Sequence, residues 1–209
     1  MPLFRDIIYG KLPFKKFSKD TLICIDAANW YPFLTHRKIK INWEEFKGLM
    51  QSMFKTATLN YYDGLITQPY FLYKHPNSTP EEFSEAVGRK QEFYAKLSQF
   101  GYNVTWKEIT QIHKGFYKDS TAEKTGFKCN FDVEITIDVM ENLDRYEMFV
   151  LCSGDSDFVA LVKKLKGNLK ETMAISVKNR FSSDLRDAVN HSMFLNNLIH
   201  FVPALTYKK

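Results

Sequence analysis

Cysteine is scarce in this 209-residue chain, and the three present, Cys24, Cys129 and Cys152, are odd in number and widely spaced. That pattern excludes a disulfide framework and a cysteine-rich zinc motif. Five scattered histidines show no metal-ligand spacing either. No apolar run approaches the roughly 20 residues that a membrane-spanning helix needs, and no repeat or low-complexity tract divides the chain. Residues 1–20 set Lys11, Lys15 and Lys16 among Phe14 and Phe17 without a continuous apolar stretch, so no signal peptide is expected there. The chain is therefore expected to be cytoplasmic and reduced, without a membrane partner, and the sequons at Asn77, Asn103 and Asn190 are expected to be chance matches.

What is present suits one sizeable core. Hydrophobic residues make up 44% of the chain, including 18 Phe and 11 Tyr, many of which must fill the interior. The net charge of +5 is a modest excess that favours a polyanionic partner. Patterning predicts strands at 21–26, 69–74, 102–109, 147–152, 171–177 and 193–195, and helices near 30–36, 42–58, 80–99, 156–166 and 183–190. Alternation of the two argues for a parallel sheet covered on both faces. Cys24 and Cys152 fall inside apolar strands, where a free thiol packs as a small hydrophobe.

The most informative stretch is Ser153-Gly154-Asp155-Ser156-Asp157-Phe158, two carboxylates on a tight turn between an apolar strand and an amphipathic helix. Ligands of open α/β sheets sit at the carboxyl ends of strands, beside the helix N-termini that follow. Asp155 or Ser156 can also serve simply as a helix cap. A second element of the same kind weakens that plainer reading: the apolar run 21–25 ends in Asp26-Ala27-Ala28-Asn29. If both strands share one parallel sheet, Asp26, Asp155 and Asp157 face one edge, and clustered carboxylates repel unless a cation neutralises them. A third acidic segment, 131–143, is ambiguous. Strict alternation fits a strand, whereas Val133, Ile137 and Met140 fit one helical stripe with Asp132 in the first turn.

Taken in order, Asp26-x-x-Asn29, then Asp132 with Asp138, then Ser153-Gly-Asp155-Ser-Asp157-Phe158 resembles the NYN domain, in its LabA-like branch, within the PIN-like nucleases. The resemblance spans roughly residues 20 to 200, so the expected organisation is an extension at 1–20, an NYN domain at 21–200 and a tail at 201–209. It implies a three-layer α/β/α sandwich with a central, mainly parallel sheet, and helix for 131–143. It also implies a metal-dependent ribonuclease using Mg2+ or Mn2+. By the same resemblance Asp26, Asp132 and Asp155 are expected to bind metal, Asn29 and Asp157 to complete the catalytic set, and Ser153 and Asp138 to support it. The family usually has Lys-Gly-Val before the middle aspartate. Here Cys129-Asn130-Phe131 stand there, with Lys128 one place further back to supply any such contact.

Single-stranded RNA is the expected partner, DNA remains an alternative, and a homodimer is left open. Residues 110–130 read as a long polar connection whose Lys114, Lys118 and Lys128 can meet phosphates while Phe116 or Tyr117 stacks on a base. Lys163 and Lys164, after the acidic turn, can do the same, although such lysines also form ordinary solvated faces. Two other readings compete. A non-catalytic RNA-binding module would keep the same fold. A serine esterase is suggested by Gly154-Asp155-Ser156, similar to the GDSL motif, with Asp187 and His191 downstream, but it leaves Asp26 and Asp132 unused.

Overall fold

Strand β1 (Phe17–Asp26) carries the apolar run Leu22-Ile23-Cys24-Ile25, and its side chains divide strictly by parity. Ile23 and Ile25 enter one hydrophobic core, while Leu22 and Cys24 enter another. Strand β6 (Met148–Cys152) divides in the same way, with Met148, Val150 and Cys152 in the first core and Phe149 and Leu151 in the second. A strand apolar on both faces is one buried between two layers, so the sandwich architecture is written into these two strands.

The computed structural model describes residues 16–37, 39–114 and 124–195. Six strands form one sheet in the order β3-β2-β1-β6-β7-β8, and every pair is parallel. The others are β2 (Phe54–Leu65), β3 (Asn103–Glu108), β7 (Glu171–Ser176) and β8 (His191–Phe194). One face is covered by α1 (Ala27–His36), α2 (Trp43–Met53) and α4 (Pro80–Gln99), through Trp30, Leu34, Phe46, Met50, Tyr94 and Leu97. The other is covered by α5 (Asp132–Glu141), α6 (Val159–Gly167) and α7 (Ser183–Ala188), through Ile135, Val139, Leu161, Val162, Leu165 and Leu185. This is the expected three-layer α/β/α sandwich. Among the described residues no helix is long and apolar enough to cross a membrane.

The structure corrects the element assignments at several places. Helix α2 stops at Met53, and β2 begins at Phe54 with no intervening loop, so residues 54–58 are strand. The segment expected to be a strand at 69–74 is a short helix, α3 (Gln68–Lys74), with Pro69 in its first turn, where a missing N–H costs nothing. Residues 110–128 contain an antiparallel pair, β4 (Thr110–Lys114) with β5 (Lys124–Lys128), rather than an unstructured connection. Phe116, Tyr117 and Lys118 lie outside the described residues, as do 1–15 and 196–209. Segment 131–143 begins with helix α5, but its buried stripe is Phe131, Ile135 and Val139, while Val133 and Ile137 are exposed. The i, i+4, i+8 spacing of that stripe overrides the alternation that suggested a strand.

Chain order fixes where a ligand can sit. From β1 the chain moves outward to β2 and β3, then returns to the other side of β1 to build β6, β7 and β8. The crevice at the carboxyl ends of β1 and β6 is therefore the topological switch point of the sheet.

Candidate active site

Register brings the two acidic turns together. Ile25 pairs with Cys152, so the next residues, Asp26 and Ser153, stand side by side at the ends of neighbouring strands. The Ser153 hydroxyl donates to Asp26 Oδ2 at 3.0 Å and accepts from the Asp155 N–H at 3.3 Å. Asn29, in the first turn of α1, accepts through Oδ1 from the Gly154 N–H at 3.1 Å and from Ser176 Oγ at 3.4 Å. Asp155 caps the following 3-10 turn by accepting from the Asp157 N–H at 3.1 Å. The cap is thus Asp155 and not Ser156.

Gly154 is required by close approach. A Cβ built on it would lie 2.0 Å from the Arg180 carbonyl oxygen and 2.5 Å from Ser176 Oγ. The Gly154 carbonyl also accepts from the Ser182 N–H at 2.9 Å. The turn is clamped between β1, β7 and the segment that leads into α7. Gly154→Ala is expected to lower stability by about 1–3 kcal/mol, since a backbone contact must move to admit the methyl group. Thermal unfolding of that variant measures it.

Asp132 opens α5 directly after the β5 strand. Asn130 holds it by a reciprocal pair, Nδ2 donating to Asp132 Oδ2 at 2.5 Å and Oδ1 accepting from the Asp132 N–H at 2.7 Å. Where the family usually has lysine and glycine, this chain thus supplies an amide side chain bound to the carboxylate itself. Asp26, Asp132, Asp155 and Asn29 line one open cleft of about 410 Å3, together with Lys128, Asn130, Tyr70, Phe127 and Arg180. A larger, mostly apolar cavity of about 640 Å3, bordered by α1, α2 and α4, has no acidic side chain in its lining.

The carboxylates are under mutual strain. Burial pushes Asp26 up to about 6, opposed by hydrogen bonds from the Ser153 hydroxyl and the Asn29 backbone N–H and helped by the charges of Asp132 and Asp155. Asp132 is also raised, first by burial and then by Asp155 and Asp157, while Asn130 and Lys128 pull it back. Among the described residues, no group of three or more acidic, histidine or cysteine side chains is close enough to hold a metal ion by itself.

Not every expected site residue reaches the cleft. Asp138 lies six residues beyond Asp132, about 240° around the helix, and accepts from the Tyr62 hydroxyl at 2.6 Å instead of lining the site. Asp157 is exposed outside the lining, although its charge acts on Asp132. Lys163 and Lys164 are exposed on α6 and do not line the cleft, because Leu161, Val162 and Leu165 turn that helix's other face to the core. Lys114 closes β4, and Lys118 is outside the described residues. Arg180, Tyr70, Phe127 and Asn130 are cleft residues outside the expected site set. Arg180 is one of several cations downstream of the acidic turn, and Asn130 stands in the segment where the resemblance has lysine and glycine before Asp132, whereas Tyr70 and Phe127 carry no local signal.

The esterase arrangement is not assembled. His191 pairs with Glu171 at the start of β7, at the amino ends of the strands, whereas the turn that carries Ser156 follows the carboxyl end of β6. Asp187 is exposed beside Arg186. Ser156→Ala is expected to change stability by less than about 0.5 kcal/mol and to leave any hydrolytic activity of the cleft intact. Ser156-dependent labelling by a fluorophosphonate would contradict this.

Fold and site together define an α/β domain with an acidic cleft at its switch point. The NYN domain profile matches residues 20–196, and the chain belongs to the NYN domain family, a nuclease-type domain. Its LabA-like character is borne out by similarity to the Low amplitude and bright protein LabA of Synechococcus elongatus, 28% identical over 110 residues. That match covers 53% of this chain and 57% of LabA, so the chain spans little more than half the length of that relative. A crystal structure of a protein of unknown function from Vibrio parahaemolyticus has the same fold, with a TM-score of 0.58 at 19% identity over 88% of this chain and 95% of that one.

Proposed function

We propose that this chain is a metal-dependent ribonuclease that hydrolyses phosphodiester bonds of single-stranded RNA in the cleft at the ends of β1 and β6. The observation that carries the reading is the convergence of Asp26, Asp132 and Asp155, from three distant segments, on one open cleft of an NYN domain. The donor set suits Mg2+ or Mn2+: hard carboxylate oxygens, mutually repelling, at a site open enough for waters and a phosphate to complete the coordination. No closed cage is needed for such an ion, since Mg2+ is commonly held by one or two carboxylates with substrate phosphates and retained waters. When bound, the ion lowers the pKa of a water and offsets charge on the phosphate.

The side chains divide the remaining work. Ser153 fixes the rotamer of Asp26, Asn130 fixes Asp132, and the Asp157 N–H fixes Asp155, so each carboxylate is held from behind. Asn29 ties α1 to the acidic turn and keeps the two sides of the cleft in register. Lys128 and Arg180 offer positive charge to the phosphates of the strand. Incubation with labelled single-stranded RNA and DNA in Mg2+, Mn2+ or EDTA tests the reading: RNA is cut with either metal and left whole in EDTA. Binding without cleavage would favour the non-catalytic module, for which the missing family lysine before Asp132 is the supporting observation.

A further inference from the structure

Helix α3 has the composition of a core element but not its environment. Tyr70, Phe71, Leu72 and Tyr73 occupy four successive positions, yet none of its residues is buried. Leu72 is 38% and Tyr73 57% exposed. Phe71 anchors the helix on Phe83 of α4, with ring centroids 5.7 Å apart. Tyr70 and Tyr73 meet Phe127 of β5, with centroids at 5.4 Å and 5.1 Å. Tyr70 and Phe127 also line the acidic cleft. An aromatic pair that contributes little to the core and faces a cleft of carboxylates and cations is suited to stack a base.

We propose that Tyr70, braced by Phe127 packed edge-to-face against it at an interplanar angle of 75°, forms a base-binding wall of the cleft, on which one base of a single-stranded RNA stacks while Arg180 and Lys128 hold neighbouring phosphates. This rests on the ribonuclease reading of the same cleft and adds the feature that selects unpaired substrate. Arg180 is exposed at the cleft and makes no ion pair among the described residues, so its guanidinium is available to a phosphate. A base inside an A-form duplex has both faces covered by its neighbours and cannot reach such a wall, whereas a single strand can splay one out.

The alternative is that Tyr70 and Phe127 merely pin the β4–β5 pair to α3. Binding measured by fluorescence anisotropy separates the two, using the 209-residue Asp155→Asn chain with a short oligouridylate and a ribose-phosphate oligomer of equal length without bases. The oligouridylate binds more tightly, and Tyr70→Ala weakens its binding roughly five- to a hundredfold while leaving the abasic oligomer unaffected. Tyr70→Phe keeps the preference, and Tyr70→Leu, which retains apolar packing, loses it. Arg180→Ala weakens binding of both oligomers and makes the log-log salt dependence shallower by about 0.7. Equal losses on the two oligomers, or none, overturn the wall. RNA cleavage by the unaltered chain with identical affinities for both oligomers removes the wall and leaves the nuclease. Base-dependent binding without cleavage does the reverse, and failure to bind either oligomer removes both.

Discussion

Asp155→Asn loses RNA cleavage by at least about a hundredfold, the scale of removing one anionic ligand from a metal-assisted site, while the protein stays folded. The substitution is nearly isosteric, and the new amide oxygen can still accept from the Asp157 N–H that the carboxylate holds at 3.1 Å. Only the charge is removed. Asp155 repels both Asp26 and Asp132, so its neutralisation leaves stability equal or slightly higher. Cleavage assays beside thermal melts read both quantities. Wild-type cleavage by the variant removes Asp155 from the chemistry, and collapse of the melt would mean that the turn depends on the charge.

Asp26→Asn has the largest expected effect on stability, and it is a gain. Burial holds this carboxyl at about 6 against an ordinary value of 3.8, so the folded chain binds its proton more tightly than the unfolded one. For a raised carboxyl the stabilising contribution is complete below the unfolded value and is lost as pH rises through the folded one. At pH 8 the ionised, buried Asp26 therefore costs about 2 to 3 kcal/mol. Asparagine removes that cost and can still accept from Ser153 Oγ. The variant should melt roughly 5–10 °C higher than the parent at pH 8, with the gap closing as pH falls through about 6 towards 3.8, and it should lose cleavage. Stability rising as activity falls is the mark of a residue kept for function. A variant that melts lower at pH 8 would show that Asp26 is a structural anchor instead.

Much of the fold was legible because the buried strands declare themselves. The apolar runs that became β1, β6 and β7 could sit only in the middle of a sheet, and Thr79 with Glu82 supplies a capping box at the start of α4. Two segments were not legible for physical reasons. The change from α2 to β2 has no Gly or Pro to mark it, so the apolar stripe of the helix runs into the strand. The aromatic content of 70–73 suggested a strand, and helix α3 contradicts it because Pro69 sets the first turn. In the cleft, Asp26 and Asp155 could be anticipated from the strand ends that carry them. Tyr70 and Phe127 could not, since nothing local to those residues says that α3 and β5 fold against the same edge. Asp138 shows the converse: close in sequence to Asp132, it is turned to Tyr62 by helical geometry.

The central place of β1 has a consequence for biogenesis. Its partner on one side, β2, follows within the same stretch of chain, but Ser153 stands 127 residues beyond Asp26, and β6 is made only just before it. Until then a growing polypeptide carries β1 with one open hydrogen-bonding edge, exposed to pairing with other chains. In that interval Asp26 also lacks the hydroxyl that orients it and the turn that faces it. Closing the sheet and completing the cleft both wait on β6 and the turn after it, so an unfinished chain carries Asp26 without Ser153 and Asp155 beside it.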